Sequence, residues 1–331
     1  MKPLIQKLTE TFSPSGSEAA IRQVILEEIR PLADEIRVDA LGNLIARKGS
    51  KGKNGKRLML AAHMDEIGLI ATHIDEKGFV RFAGLGGVRP VALAGGRVRF
   101  MDGGRGVIGT DRLADANRAP TLEQCFIDVG ATSAKDCPVH VGDVCAFERP
   151  FLDLGRRLVA KSMDNRIGCA VVIEALRRLP SSPYELSIVF TTQEEVGTRG
   201  ATTSAFGLDP DLGLAVDVTD TGDTPRGSRM DVALGGGPAV KVKDAGMLSD
   251  PRIVDWMIHT AEKNRLPYQR EVLLGGSTDA RAIQLARSGV PAGCLSIPCR
   301  YIHSPSEMVD YEDVQNSVKL LVSLLRTPIA F

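Results

Sequence analysis

Imidazoles and carboxylates, the side chains that bind borderline and hard metal ions, recur in this chain just beyond short apolar runs. Residues 57–62 lead into His63-Met64-Asp65-Glu66, 186–191 into Gln193-Glu194-Glu195, and 212–216 into Asp217. Residues 291–297 lead through Cys299-Arg300-Tyr301-Ile302 to His303, and Asp164 heads a helical pattern over 165–179. Taken singly, each has an ordinary explanation. His63 or His303 would be a hydrogen-bonded histidine, Asp217 a turn residue, Asp164 a helix cap, and Glu194-Glu195 two solvated charges. His73, His140 and His259 read that way, because no carboxylate motif accompanies them at a strand end. For the others that reading weakens, since all fall at equivalent ends of one set of strands. Two adjacent carboxylates after an apolar strand are costly unless a cation or a proton balances them.

The elements that must position these residues can be read from periodicity. Ser15-Gly16-Ser17-Glu18 has the form of a capping box. The helix behind it places Ile21, Val24, Ile25 and Ile29 on one face and is expected to end at Pro31. Strands are expected at 35–38, 43–46, 57–62, 186–191, 212–216 and 291–297. Helices are expected over 165–179, 250–264, 278–287 and 311–325. This alternation predicts an α/β fold, a mostly parallel sheet flanked by helices. In such sheets ligands bind beyond the carboxyl ends of the strands, where the polar residues of this chain collect.

Residues 67–155 have a different texture. They are rich in glycine (Gly84, Gly86, Gly87, Gly95, Gly96, Gly103, Gly104, Gly106), carry short β-like runs such as 96–101, and lack helical periodicity. They predict a small all-β domain inserted into an α/β domain formed by 1–66 and 156–331. The glycines fit no phosphate-binding fingerprint and read as turns and bulges. Lys51 to Arg57, a basic run around Asn54-Gly55, reads as a solvated hairpin loop.

The motifs together resemble the tetrahedral aminopeptidase family, the glutamyl and deblocking aminopeptidase group of two-metal peptidases, some of which carry a cellulase M-like label. The resemblance runs through Thr11-Phe12-Ser13-Pro14-Ser15-Gly16, Asp39-Ala40-Leu41-Gly42-Asn43, His63-Met64-Asp65-Glu66-Ile67-Gly68 and Ser162-Met163-Asp164-Asn165-Arg166. It continues through Thr192-Gln193-Glu194-Glu195-Val196-Gly197, Ala215-Val216-Asp217, Gly275-Gly276-Ser277-Thr278-Asp279-Ala280 and Pro298-Cys299-Arg300-Tyr301-Ile302-His303-Ser304-Pro305, nearly the whole chain in family order. It implies that His63 and Asp217 hold one divalent ion, Glu195 and His303 a second, and that Asp164 bridges them. It also implies that Asp65 orients His63 and that Glu194 is the general base. Each ion then keeps an open position, and a bridging carboxylate suits ions roughly 3.5–4 Å apart. Two ions per subunit, zinc or cobalt, are expected. The resemblance further implies a cis peptide bond after Asp164, dimers built through the β insert, and a hollow tetrahedral dodecamer. Short peptides with a free N-terminus are the expected substrates. Arg300 and Asp279 are candidates for contacting them, and Arg300 or Arg281 could supply a basic wall for an acidic residue.

Composition narrows the alternatives. Lys+Arg and Asp+Glu are both 41 of 331 residues, so no basic excess points to nucleic acid. No run of roughly 20 apolar residues points to a membrane span, and the first residues lack the apolar core of a secretory signal. Six cysteines without a C-x-x-C pair suit reduced thiols in the cytoplasm. Cys299 is a less economical ligand than His303. A carboxypeptidase or an amidohydrolase of similar architecture is the nearest rival, and a non-catalytic assembly protein a distant one. A glycosidase fits poorly, because Glu194 and Glu195 are chain neighbours beside metal-ligand candidates and the chain has one tryptophan.

Overall fold

A computed structural model describes residues 1–50, 55–113, 115 and 118–329. Apolar strands set its main layer. Arg57–His63, Glu185–Thr191, Leu212–Thr219 and Ala292–Arg300 are β-branched, leucine-rich or small-residue runs that pair in parallel. All eight residues of Leu212–Thr219 are buried, as expected of a strand covered on both faces. Alternation along Arg57–His63 divides its side chains between two cores. Leu58, Leu60 and Ala62 join the larger one, with the helices Lys2–Glu10, Ala19–Ile29, Met163–Arg178, Pro251–Lys263 and Tyr311–Arg326. Met59 and Ala61 join the smaller one, under Arg199–Leu208 and Asp279–Gln284. Antiparallel strands extend the sheet on both sides, to eleven among the described residues.

The register makes the strand ends level. Thr191 lies beside His63, and Asp217 beside Ser296. His63, Thr191 and Asp217 therefore lie level at one rim, where Arg57–His63 and Glu185–Thr191 end and Leu212–Thr219 runs on to Thr219.

The expected all-β segment forms a closed six-stranded barrel, with strands from Gly68–Ile74 to Val144–Phe147 and a separate apolar core that includes Leu69, Phe82, Val98, Ile127 and Phe147. Lys51 to Asn54 of the expected hairpin loop lie outside the described residues.

Several local expectations are corrected. Ser15 and Glu18 do not form a capping box. The helix starts at Ala19 with Glu18 as N-cap, and the Ser15 hydroxyl donates to Asp65 Oδ2 instead (2.6 Å). The Glu18 carboxylate accepts from the N–H groups of Gly16 and Gln193 (2.7 and 3.2 Å). A buried aspartate outbids the local cap, because an ionised acceptor makes the stronger hydrogen bond. The helix expected from 165 runs over Met163–Arg178, with Asp164 and Asn165 outside helical geometry. The helix expected over 278–287 is shorter, Asp279–Gln284, and the strand expected at 291–297 is longer, Ala292–Arg300.

Candidate metal centre

His63 ends its strand with the ring turned into a buried crevice. Its Nε2 lies 3.0 Å from Asp164 Oδ1 and 3.7 Å from Asp217 Oδ1. The other oxygen of Asp164 faces His303 Nε2 at 3.4 Å, and that nitrogen is 3.1 Å from Glu195 Oε2. His63, Asp164 and Asp217 thus form one compact group of donors, and Asp164, Glu195 and His303 a second, with Asp164 common to both. Glu194 belongs to neither group. Its Oε2 is 3.9 Å from His63 Nε2, beside the first group.

Local backbone geometry aims these side chains. Ser162 is in the left-handed region, and the Asp164–Asn165 peptide is cis. Asn165 Nδ2 donates to the Val216 carbonyl (2.8 Å) and its Oδ1 accepts from Gly168 N–H (3.1 Å), which ties this turn to the strand carrying Asp217. Gln193 is also left-handed and reverses the chain before Glu194. Asp65 anchors that loop. Its Oδ1 accepts from Glu194 N–H and its Oδ2 from Glu195 N–H, at 3.0 and 3.2 Å, while Oδ1 lies 3.4 Å from His63 Nδ1. One carboxylate thus steadies an imidazole and the backbone of both glutamates.

Sequence reasoning passed over Glu307. Almost fully buried, it accepts from the N–H of Asp164 and the N–H of His303, both at 2.8 Å. Its only signal in the chain is its place four residues after His303. Gly87 was read as a turn residue, yet a Cβ there would stand 2.4 Å from His303 Nδ1, and that nitrogen is 3.1 Å from the Gly87 carbonyl. Gly86 abuts Glu195 in the same way. The barrel therefore supplies backbone to the rim of the centre. Glu66, next to Asp65, is buried against Lys161 and Arg166.

Electrostatics mark the centre as short of positive charge. Burial disfavours the charged form of His63, yet Asp217, Asp164, Asp65 and Glu194 raise it well above its ordinary value. Burial likewise opposes charge on His303, but hydrogen bonding with Asp164 and Glu195 takes it up to about 12. Glu194 is pushed well up by burial, with Asp217, Asp279 and Glu195 adding to the effect and His63 opposing it. Asp217 rises for the same reasons, burial first. Burial also pushes on Asp65, but hydrogen bonds from His63, Ser15 and Glu194 hold it below its usual value. Among the described residues no lysine or arginine pairs with Asp164, Glu194, Glu195 or Asp217. Glu195 Oε1 is buried with no hydrogen-bond partner. Buried carboxylates of this density need cations, and imidazole with carboxylate is the donor set that borderline divalent ions accept. The residues fit a metal centre.

The centre opens into a cavity of about 580 Å³ lined by His63, Asp164, Glu194, Glu195, Asp217 and His303, among others. Neither Arg300 nor Asp279 lines it. Arg300 grips Asp223 with two hydrogen bonds (2.9 and 2.6 Å). Asp279 is buried behind the centre, accepting from Thr191 Oγ1 (2.5 Å), and burial takes its carboxyl up to about 6. Arg281 does line the cavity. His73, His140, His259 and Cys299 belong to neither donor group. The six cysteines are free thiols.

The profile of the M42 glutamyl aminopeptidases matches residues 42–320. The chain belongs to this family. A putative aminopeptidase of Acetivibrio thermocellus is 45% identical, over 98% of each chain. Among solved structures, the aminopeptidase APDkam598 of the archaeon Desulfurococcus kamchatkensis is 40% identical, with a TM-score of 0.93 over 99% of this chain and 94% of that one. The TET1 peptidase of Pyrococcus horikoshii, which can assemble into a tetrahedron or a large octahedral shell, is 31% identical, with a TM-score of 0.89 over 99% of each chain. This M42 chain is accordingly a peptide-bond hydrolase of the aminopeptidase type, and the resemblance read from its motifs is to the right family. No helix among the described residues is long and apolar enough to cross a membrane.

Proposed function

We propose that this protein removes N-terminal residues from short peptides by means of two divalent ions, zinc or cobalt, and a glutamate base. His63 and Asp217 would hold one ion, Glu195 and His303 the other, and Asp164 both. The observation that carries this reading is the pair of donor groups sharing Asp164, with Glu194 beside them and outside both. Bound there, the ions would supply a water of lowered pKa and polarise the scissile carbonyl. Glu194 takes the proton of the attacking water and returns it to the leaving amine. Asp65 keeps Glu194 and Glu195 in place through their N–H groups. The carboxylates of the cluster favour a cationic α-amine next to the cleaved bond, which restricts cleavage to the first residue.

The same reading takes 1–66 and 156–331 as the catalytic domain and 67–155 as an insert for oligomerisation; the separate core of the barrel supports it. A tetrahedral dodecamer built from dimers is our reading of the assembly, supported by the Pyrococcus horikoshii structure. A cytoplasmic location is supported by the six free thiols. The test compares a peptide bearing a free amine with its N-acetylated form, before and after chelation. Cleavage of the free-amine peptide alone, lost on chelation and restored by zinc or cobalt, is expected. Preference for the acetylated peptide, or full activity in metal-free protein, would overturn the reading.

A further inference from the structure

The cavity that holds the donor groups also gathers three arginines from three separate segments. Arg89 follows the barrel glycines that touch Glu195 and His303. Arg229 lies on the connection from Leu212–Thr219 to Ala239–Lys243, and Arg281 on Asp279–Gln284. Among the described residues none of the three side chains makes a hydrogen bond or an ion pair. Other arginines differ: Arg300 is held by Asp223, and Arg156 and Arg157 by Asp310. Outside the metal-ligand candidates and Glu194, the lining offers one carboxylate, Asp220. The chain carries 41 basic and 41 acidic residues, so a general excess of cations does not explain three on one cavity.

We propose that Arg89, Arg229 and Arg281 form a subsite that reads a carboxylate of the bound peptide. The inference rests on the proposed function, which places the peptide's amine at the donor groups. A rounded cavity of about 580 Å³ is about 10 Å across, and an extended chain advances about 3.5 Å per residue. A di- or tripeptide held by its amine therefore brings its far end to the rim. Guanidinium groups are planar forks that match a carboxylate in two parallel hydrogen bonds. The carboxylate is the C-terminus of a short peptide or an acidic side chain on the leaving side of the cleaved bond, and the chemistry of recognition is the same.

Steady-state kinetics on the zinc- or cobalt-loaded protein separate the sources. Three substrates suffice: Leu-Gly-Gly, its C-terminal amide, and the amide Leu-Gly-Glu-NH2. The free acid, the glutamate amide or both are expected to exceed the neutral amide in kcat/KM by at least about tenfold, the scale of a charged hydrogen bond. Whichever exceeds it identifies the source. The advantage should shrink with salt and fall towards unity in the triple variant R89A/R229A/R281A. Equal rates on all three peptides, or an undiminished advantage in the triple variant, overturn the subsite. The neutral amide reports the aminopeptidase reading by itself: its cleavage at the common rate leaves that reading standing, and failure to cleave any of the three sinks both.

Discussion

Glu194 and Glu195 are chain neighbours with different surroundings, and the difference gives each a separate test. The left-handed turn at Gln193 and the two hydrogen bonds their N–H groups donate to Asp65 fix their backbone. Glu194 Oε2 then faces His63 from outside the donor groups, while Glu195 Oε2 lies 3.1 Å from His303 within one of them. Glu194→Gln should keep both ions and near-normal KM and lose 10²–10⁴-fold in kcat, the usual contribution of a general base. Glu195→Gln should lose occupancy at one site and recover in part with excess metal. Metal analysis beside kinetics decides, and metal loss in the Glu194 variant with full occupancy in the Glu195 variant would reverse the two roles. Glu307 calls for a third substitution. Its carboxylate accepts from the N–H groups of two candidate ligands, whereas a glutamine would set its own NH2 against one of them. Glu307→Gln is expected to weaken metal binding by roughly 10–100-fold, as loss of outer partners of metal ligands does. Unchanged affinity for both ions, measured by titration, would show that these hydrogen bonds do not position the centre.

At the scale of elements, what was legible in the chain is what local periodicity encodes. Apolar runs of strand length ended in His63, Glu194-Glu195 and Asp217, and a parallel register brings such ends level, so their convergence could be anticipated. Asp164 and His303 were candidates too, at the head of a helical pattern and beyond an apolar run, but they meet the others through backbone conformations, a cis bond and a left-handed His303, that no periodicity announces. Ser15, Glu307 and Gly87 act across long separations, on Asp65, on the Asp164 N–H and on the His303 imidazole. Ser15 and Gly87 read from their surroundings as a cap and a turn, and Glu307 carried no reading at all. The pairing of Arg300 with Asp223, 77 residues away, likewise had no signal in the chain. The contact between the barrel and the centre can be probed at Gly87. A methyl group there meets the His303 ring at 2.4 Å, so either the ring or the loop must move. Gly87→Ala should lower kcat/KM roughly 10²-fold, the cost of displacing a catalytic group by about 1 Å, with thermal stability little changed because the loop is on the surface. Wild-type kinetics in this variant would mean that the loop yields freely and the barrel does not set the ring.

For the whole molecule, the inserted barrel is the feature that one chain alone does not explain. A closed barrel has no open sheet edge and needs no neighbour to satisfy its backbone. It nevertheless presents Val91, Met101, Val107 and Val141 to solvent, Val91 at 73% exposure and Val141 at 64%. Exposed apolar side chains mark an association surface where they form one contiguous patch, and these four are the barrel's candidates for one. Closed point-group assemblies are the usual outcome for soluble homo-oligomers, and we proposed the tetrahedral one. Light scattering coupled to size exclusion should then find twelve copies of 35.5 kDa, about 426 kDa. A dimer under metal-poor conditions agrees with this, since ions that bind a folded centre can couple to assembly. If the barrel carries the contact, Val91→Asp or Val107→Asp should lower the mass and leave metal content intact, because neither residue lines the donor cavity. Twelve-chain particles that persist in both variants would move the interface elsewhere on the surface. A mass of one chain at every metal concentration would sink the assembly itself.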